Sequence, residues 1–260
     1  MIETAAALPL FIALGLCLFA LGWFSRWISL SIQRVVYYAT HSREVAMLAL
    51  FLVLFPGVLV HEAAHWLVAR LLGLKTGKFR VWPKAQGKQI GMGSVSVQRG
   101  SLWQDSLVGL APLLAGSALV ALIGYHIFAA DQMVALFVRG NWAQGFSAVR
   151  AALRSADSAL WGYLVFAIVN AMMPSPSDRE PVKPLLLYLG LIGLAYLILG
   201  LPLQPVVDLL GWLTPAVTIL TSALLFTLAL DAVVLVALWL VELLISPRQP
   251  IGARRSSRRT

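Results

Sequence analysis

Charge and cysteine are both scarce in this sequence. Only 12% of its 260 residues are charged and 60% are hydrophobic, which is typical of a protein with several membrane spans rather than of a soluble domain. The single cysteine, Cys17, excludes an internal disulfide and any zinc site built from several cysteines. Because Cys17 lies within an apolar run, we expect it to pack against lipid or a neighbouring helix.

The charged residues that are present favour loops beside a membrane. The net charge is +9, from 20 basic and 11 acidic residues, and such an excess in a membrane protein collects mainly in cytoplasmic loops. No stretch combines basic residues with stacking aromatic ones, so we expect no nucleic-acid partner. The N-terminus lacks a basic segment and a clear cleavage site, which favours a retained span over a signal peptide.

The apolar runs predict an all-α polytopic membrane protein with about six transmembrane helices, since each span needs ~20 apolar residues. The predicted spans are 5–23, 45–72, 107–129, 159–173, 185–201 and 216–245. Between them we expect an interfacial amphipathic segment at 25–43, a polar segment with a short surface helix at 131–157, and a connection at 202–215. The predicted parts of the chain are 1–43, 44–183, 184–247 and a disordered basic tail, 248–260, suited to anionic lipids.

The second predicted span contains the pattern His61-Glu62-Ala-Ala-His65. Ionisable side chains are costly inside a membrane, so such residues indicate a functional site. Positions four apart lie on one face of a helix, which makes the two imidazoles a pair of candidate zinc ligands and leaves Glu62 as a candidate general base. The alternative is a pair of core histidines hydrogen-bonded to neighbouring helices. Pro56-Gly57, just before the pattern, predicts a bend and space beside His61.

The segment 73–100 has a different character, with water-facing basic residues and an alternation of apolar and polar positions around Phe79 and Val95. Alternation at period two predicts a small β-hairpin or sheet, with its turn at 83–87, at the membrane surface. Its free edge could pair with an extended peptide. A plain basic surface loop is the alternative.

The third candidate ligand is Asp178. Pro174 and Pro176 end the fourth predicted span and predict an extended segment that can turn back toward the second span. Irregular backbone at that depth is tolerated only where protein or a wet cavity surrounds it. The alternative is an aspartate that merely caps a helix end. Asp231, in the middle of the sixth predicted span, is expected to face inward, paired or hydrated, and not to bind the metal.

The basic residues also predict an orientation. With both termini in the cytoplasm, 14 of the 20 Lys and Arg residues lie on the cytoplasmic side, as the positive-inside rule favours. The second and fourth predicted spans then run in the same direction, which brings His61, His65 and Asp178 to one membrane face. We therefore expect a multi-pass protein of the cell membrane whose site lies near the cytoplasmic face.

The patterns at His61–His65 and Asn170–Asp178 resemble those of the site-2 protease family of intramembrane metalloproteases. That family has an H-E-x-x-H pattern in one span and an Asn…Pro…Asp-Gly pattern two spans later, which His61–His65 and Asn170…Pro174…Asp178 match at the same spacing. The Gly-rich segment around Pro112 is loosely similar to a family motif as well. The resemblance implies zinc held by His61, His65 and Asp178, and Glu62 as the base. It also implies cleavage of a membrane-embedded helix and a substrate-binding role for Asn170. Arg179-Glu180 departs from the family's glycine after the aspartate.

Other functions compete with this one. A non-catalytic membrane protein of the same fold that binds a transmembrane partner has no need of a base such as Glu62. A metal or proton transporter predicts ionisable residues throughout the membrane depth, whereas here they gather near one face. A membrane di-iron oxidase needs many histidines, and this sequence has four.

Overall fold

The structure is a computed structural model that describes residues 2–80, 82, 84–86, 89–91 and 94–245. Nine helices and four strands make up this part of the chain. The helices are α1 Ile2–Thr40, α2 Arg43–Leu71, α3 Leu102–His126, α4 Ala130–Val138, α5 Trp142–Arg154, α6 Ser158–Met172, α7 Pro176–Arg179, α8 Val182–Ile198 and α9 Gln204–Ile245, and the strands are β1 Thr76–Arg80, β2 Lys84–Gln86, β3 Gln89–Gly91 and β4 Ser94–Val97. The basic tail predicted at 248–260 lies outside the described residues.

The helices confirm an all-α polytopic membrane protein in outline. Five helical segments are long and apolar enough to cross a membrane, or six if α5 and α6, bent by 100° to each other, count as one span. The five segments are Leu8–Thr40, Arg43–Leu71, Leu102–His126, Pro176–Ile198 and Gln204–Ile245. The polar segment predicted at 131–157 forms two helices, α4 and α5, rather than one.

The boundary predicted between the first span and the segment 25–43 is wrong, because α1 continues as one helix of 39 residues. The interfacial position of that segment stays a prediction. Ser25, Ile28, Ser31 and Ile32 recur at spacings of three and four and are all buried. This places them on one face of a helix that packs into the bundle. Packing therefore extends α1 through a stretch whose polar residues predicted an interfacial position.

The connection predicted at 202–215 is also wrong. α9 runs unbroken for 42 residues and contains Pro215. α9 packs along α1 in the same direction: Leu21 shares a buried cluster with Leu224, and Arg34 forms an ion pair with Glu242 at 3.2 Å. Each helix is long enough to cross once, so the start of α1 and the end of α9 lie at opposite ends of this pair. The expectation that both termini lie in the cytoplasm stays a prediction.

The other helices alternate in direction. α6 is parallel to α2, since a Cβ on Gly57 would meet Ala167 and His61 contacts Ala171. α1 is antiparallel to α6, because a Cβ on Gly22 would lie 3.7 Å from the Met173 sulfur, whereas Ser25, further along α1, donates to the carbonyl of Asn170, earlier in α6, at 2.8 Å. α3 begins beside the end of α2, where the Gln104 side chain donates to the Leu72 carbonyl at 3.1 Å. The ends of α2 and α6 and the start of α3 therefore meet at one end of the bundle.

The predicted β-hairpin is present between α2 and α3. β1 pairs with β4 and β2 pairs with β3, both antiparallel, in two separate two-stranded sheets. Residues 84–86 form strand β2, where the sequence predicted part of a turn.

The hairpin folds back along α2. The Trp82 ring lies 5.5 Å from the Phe51 ring, and Phe51 is about 30 Å before the end of α2 along the helix axis. The expected place of the hairpin at the membrane surface stays a prediction.

Candidate metal centre

α2 brings both histidines to one face and presses that face against α6. An alanine in place of Gly57, one turn before His61, would put its Cβ 1.9 Å from the Ala167 carbonyl oxygen. No side chain fits there, so the two backbones are in direct contact. The space that the sequence predicted beside His61 is thus taken by α6 itself, which supplies a hydrogen-bond acceptor to the His61 ring.

Each histidine ring is oriented by a backbone carbonyl. Nδ1 of His61 lies 2.8 Å from the Ala171 oxygen of α6, and Nδ1 of His65 lies 2.8 Å from the Val108 oxygen of α3. A carbonyl oxygen only accepts, so each Nδ1 carries the proton and donates it. In the neutral ring the other nitrogen, Nε2, is then unprotonated and carries a free lone pair. This orientation by a second hydrogen bond is usual for histidines that bind metal.

Asp178 is held by the segment that follows α6. Met173 is extended after the last helical residue, and α7 starts at Pro176 with a capping box between Ser175 and Asp178. The Ser175 N–H donates to Asp178 Oδ2 at 2.8 Å, and the Asp178 N–H donates to the Ser175 hydroxyl at 3.3 Å. Asp178 can therefore cap α7 and serve as a candidate metal ligand at the same time, because its carboxylate is held by Ser175 and still faces the histidines.

The three candidate ligands converge. Nε2 of His61 and Nε2 of His65 are 3.2 Å apart, and these nitrogens lie 3.5 and 3.4 Å from the two carboxylate oxygens of Asp178. One ligand atom from each of the three residues lies within 4.8 Å of the others. The residues therefore form a group that could hold a metal ion.

Glycines in α3 allow the ligand-bearing segment to approach. A Cβ on Gly109 would lie 2.3 Å from the Asp178 carbonyl oxygen, and a Cβ on Gly116 would lie 2.6 Å from the Met172 side chain. The close helix approach predicted for this Gly-rich segment is confirmed. Ser106, one turn away from Gly109, donates to the Pro181 carbonyl at 2.7 Å and ties α3 to the chain just past Asp178.

Glu62 is 7% exposed and lies beside the three ligands, close enough for their charges to act on it. Its carboxyl faces the backbone of Val95 in β4. The candidate base is therefore enclosed between α2 and the hairpin. Sequence analysis placed Glu62 beside the histidines, whereas its contact with β4 depends on the hairpin folding back.

Arg179 and Glu180 occupy backbone that needs no glycine. Arg179 is the last residue of α7, and Glu180 has φ −58° and ψ −50°, which is the right-handed helical region open to every L-residue. The departure from the family pattern is thus accommodated, because here the chain turns with a short helix instead of a left-handed residue.

Asn170 lies one residue before the carbonyl that orients His61, but its side chain points to α9. Its amide nitrogen donates to the Phe166 carbonyl at 2.9 Å and to Asp231 Oδ1 at 3.1 Å. Both amide protons are therefore engaged within the bundle. The predicted role of Asn170 in binding substrate stays a prediction, and a direct contact would require one of these hydrogen bonds to open.

Sequence reasoning missed the groups that orient the ligands. The carbonyls of Ala171 and Val108 carry no sequence signal, because every residue has one. Ser175, three residues before Asp178, does carry one: Ser-x-x-Asp is a capping-box pattern that predicts a fixed aspartate.

Comparisons with family models, with curated proteins and with solved structures gave no match. The functional argument therefore rests on the geometry of the site and on the residue pattern.

Proposed function

We propose that this protein is an intramembrane zinc metalloprotease that hydrolyses peptide bonds of membrane-embedded substrates. One observation carries the proposal: two histidine Nε2 atoms lie 3.2 Å apart beside a carboxylate, and each ring donates from Nδ1 to a backbone carbonyl. When both rings are neutral, both Nε2 atoms carry lone pairs, which repel each other at this distance and are stabilised by a shared cation. A buried acid, Glu62, adjoins this cation site, as metal-dependent hydrolysis requires.

The donor set supports zinc over other common metals. Two imidazole nitrogens and one carboxylate are the three protein ligands of many catalytic zinc sites, which keep a fourth position open. Magnesium and calcium prefer sites made mostly of oxygen atoms and water. His61, His65 and Asp178 would hold the ion, which when bound supplies an activated water and polarises the peptide carbonyl.

Glu62 and β4 provide the remaining chemistry. As general base, the Glu62 carboxylate takes a proton from the attacking water and returns it to the leaving amine. The Val95 N–H points toward Glu62. The Gln98 N–H points to the opposite side of the same segment, where it donates to the Lys75 carbonyl. Since N–H groups alternate along a strand, the free edge of β4 faces the site. An unwound substrate segment would add to that edge as a further strand.

The first test is metal content. Purified wild-type protein is expected to contain about one zinc ion per chain, and His65→Ala is expected to lose it, because two ligands do not hold a structural or catalytic zinc ion. His126→Ala is the matched control, since His126 is exposed at the end of α3. Equal zinc content in wild type and His65→Ala would contradict the metal site.

The second test separates metal binding from hydrolysis. Glu62→Gln is expected to retain zinc and to reduce cleavage of a model transmembrane peptide by a factor of about 10² or more, because the base is lost. Cleavage by Glu62→Gln at the wild-type rate would contradict the mechanism. A wild-type protein that binds zinc and cleaves none of a panel of transmembrane peptides would favour the alternative, a non-catalytic protein that binds a transmembrane partner.

A further inference from the structure

The buried pair Asn170–Asp231 lies outside the metal centre and has no role in the chemistry described above. Asp231 is 0% exposed and Asn170 is 6% exposed. They join the last part of α6 to the middle of α9 through one hydrogen bond of 3.1 Å, from Asn170 Nδ2 to Asp231 Oδ1. No Lys, Arg or His of the described residues forms an ion pair with Asp231.

Two atoms of this pair have no hydrogen-bond partner. They are Asn170 Oδ1 and Asp231 Oδ2, both buried, and both are acceptors if Asp231 is ionised. Each buried acceptor without a partner is costly, and an ionised carboxylate without a cation among apolar helices is more costly still. One proton on Asp231 Oδ2 removes both problems, since it turns Oδ2 into a donor for the neighbouring amide oxygen.

We propose that Asp231 is a neutral carboxylic acid in a reciprocal hydrogen-bonded pair with Asn170, and that it acts as a positioning residue for His61. In this pair the Asn170 amide donates to Oδ1 and the protonated Oδ2 donates to Asn170 Oδ1. The bonded partner of His61 is the carbonyl of Ala171, the next residue in α6. α9 thus fixes the carbonyl that orients the first metal ligand.

α1 holds the same point of α6 from another side. The Ser25 hydroxyl donates to the Asn170 carbonyl at 2.8 Å. Asn170 is therefore bound through its side chain by α9 and through its backbone by α1, immediately before the acceptor of His61. Partners that orient metal-binding histidines typically change metal affinity 10- to 100-fold when removed. The inference rests on the proposed metal site for its effect on affinity, but not for the protonation of Asp231.

Two substitutions separate the hydrogen-bonded pair from the charge. In Asp231→Asn, the new amide can donate to Asn170 Oδ1 and accept from Asn170 Nδ2, so both hydrogen bonds persist without any charge. In Asp231→Leu, the volume is similar and both hydrogen bonds are lost. Thr227→Val is the matched control, because Thr227 is also 0% exposed in α9 and its hydroxyl bonds only to Ala223 of the same helix.

The readout is the zinc dissociation constant of the purified protein, measured by competition with a chelating dye. We expect Asp231→Asn and Thr227→Val to stay within about threefold of wild type and Asp231→Leu to bind about tenfold or more weakly. Equal weakening by Asp231→Asn and Asp231→Leu would show that the carboxylate charge is needed and would overturn the neutral pair. Wild-type affinity in Asp231→Leu would overturn the positioning role.

Infrared spectroscopy tests the protonation of Asp231 independently of zinc binding. At neutral pH the wild type is expected to show the carbonyl stretch of a protonated carboxylic acid, and the difference spectrum against Asp231→Asn should contain that band. Absence of the band from the difference spectrum overturns the neutral acid, even if Asp231→Leu does not fold. If the wild type binds no zinc, the proposed function fails, whereas the infrared result still decides the state of Asp231.

Discussion

At the residue scale, the position of Asp178 depends on a residue that has no side chain. Gly109 lets α3 contact the Asp178 carbonyl, and a Cβ there would lie 2.3 Å from that oxygen. Atoms cannot approach so closely, so a larger residue must push α7 away from α3. Asp178 is one of three candidate ligands, and its two carboxylate oxygens lie 3.5 and 3.4 Å from the histidine nitrogens. We expect a shift of about an ångström to take Asp178 out of this group.

Gly109→Ala is therefore expected to weaken zinc binding by about tenfold or more, since overpacking typically costs about 1–3 kcal/mol. Gly190→Ala in α8 is the matched control, because a Cβ at Gly190 meets nothing within 4 Å. Chelator competition on the two variants makes the comparison. Equal zinc affinity in Gly109→Ala and Gly190→Ala would show that α3 does not set the position of Asp178.

Residues of the site could be predicted from the sequence when the residues they interact with lie close to them in the chain. His61 and His65 are four positions apart on one helix, so helical geometry alone pairs them. Asp178 required two prolines and a matching direction of two spans, and the structure does bring it to the histidines. Asn170 and Asp231, which are in contact, lie on different helices and are 61 positions apart in sequence. Two costly polar residues in apolar spans were the available signal, but no local pattern pairs them with each other.

At the scale of the element, the hairpin and α1 show how packing changes a local interpretation. Alternation predicted the outer strands β1 and β4 correctly, because side-chain period is a local property. The place of the hairpin along α2 depends on Trp82 meeting Phe51, which no local period encodes. In the same way, α1 remains helical through Ser25 and Ser31 because both are buried against the bundle.

Binding of a substrate strand to β4 predicts that only every second backbone N–H of the substrate contributes to affinity. An added antiparallel strand uses the N–H groups of alternate residues, so peptide substrates carrying a single N-methyl group should lose affinity at every second position near the cleaved bond. KM is expected to rise severalfold at those positions and to change little at the intervening ones. Unmethylated peptide serves as the control. A uniform effect at neighbouring positions would argue against strand addition.

At the scale of the whole molecule, the directions of the helices constrain the number of crossings. α6 ends at Met172, at the same end of the bundle as α2. α9 is parallel to α1, and α1 is antiparallel to α6, so α9 starts at that same end. We therefore expect α8 to begin and end on that side without a crossing, although its length and composition would permit one. On this hypothesis five helices cross the membrane, namely α1, α2, α3, α6 and α9.

The orientation expected from the sequence places 14 of the 20 basic residues on the cytoplasmic side, as the positive-inside rule favours. That orientation stays a prediction, and so does the side of the membrane that carries the site.

Cysteine accessibility in intact cells or oriented vesicles measures both the face and the number of crossings. With Cys17 replaced by alanine, single cysteines are introduced at His41, Lys75, Leu201 and Leu244. An impermeant maleimide should label His41→Cys and Leu244→Cys from one side and Lys75→Cys and Leu201→Cys from the other, and detergent-solubilised protein is the control for reactivity. Labelling of Leu201→Cys from the same side as His41→Cys would mean that α8 crosses the membrane, and α9 could then not run parallel to α1.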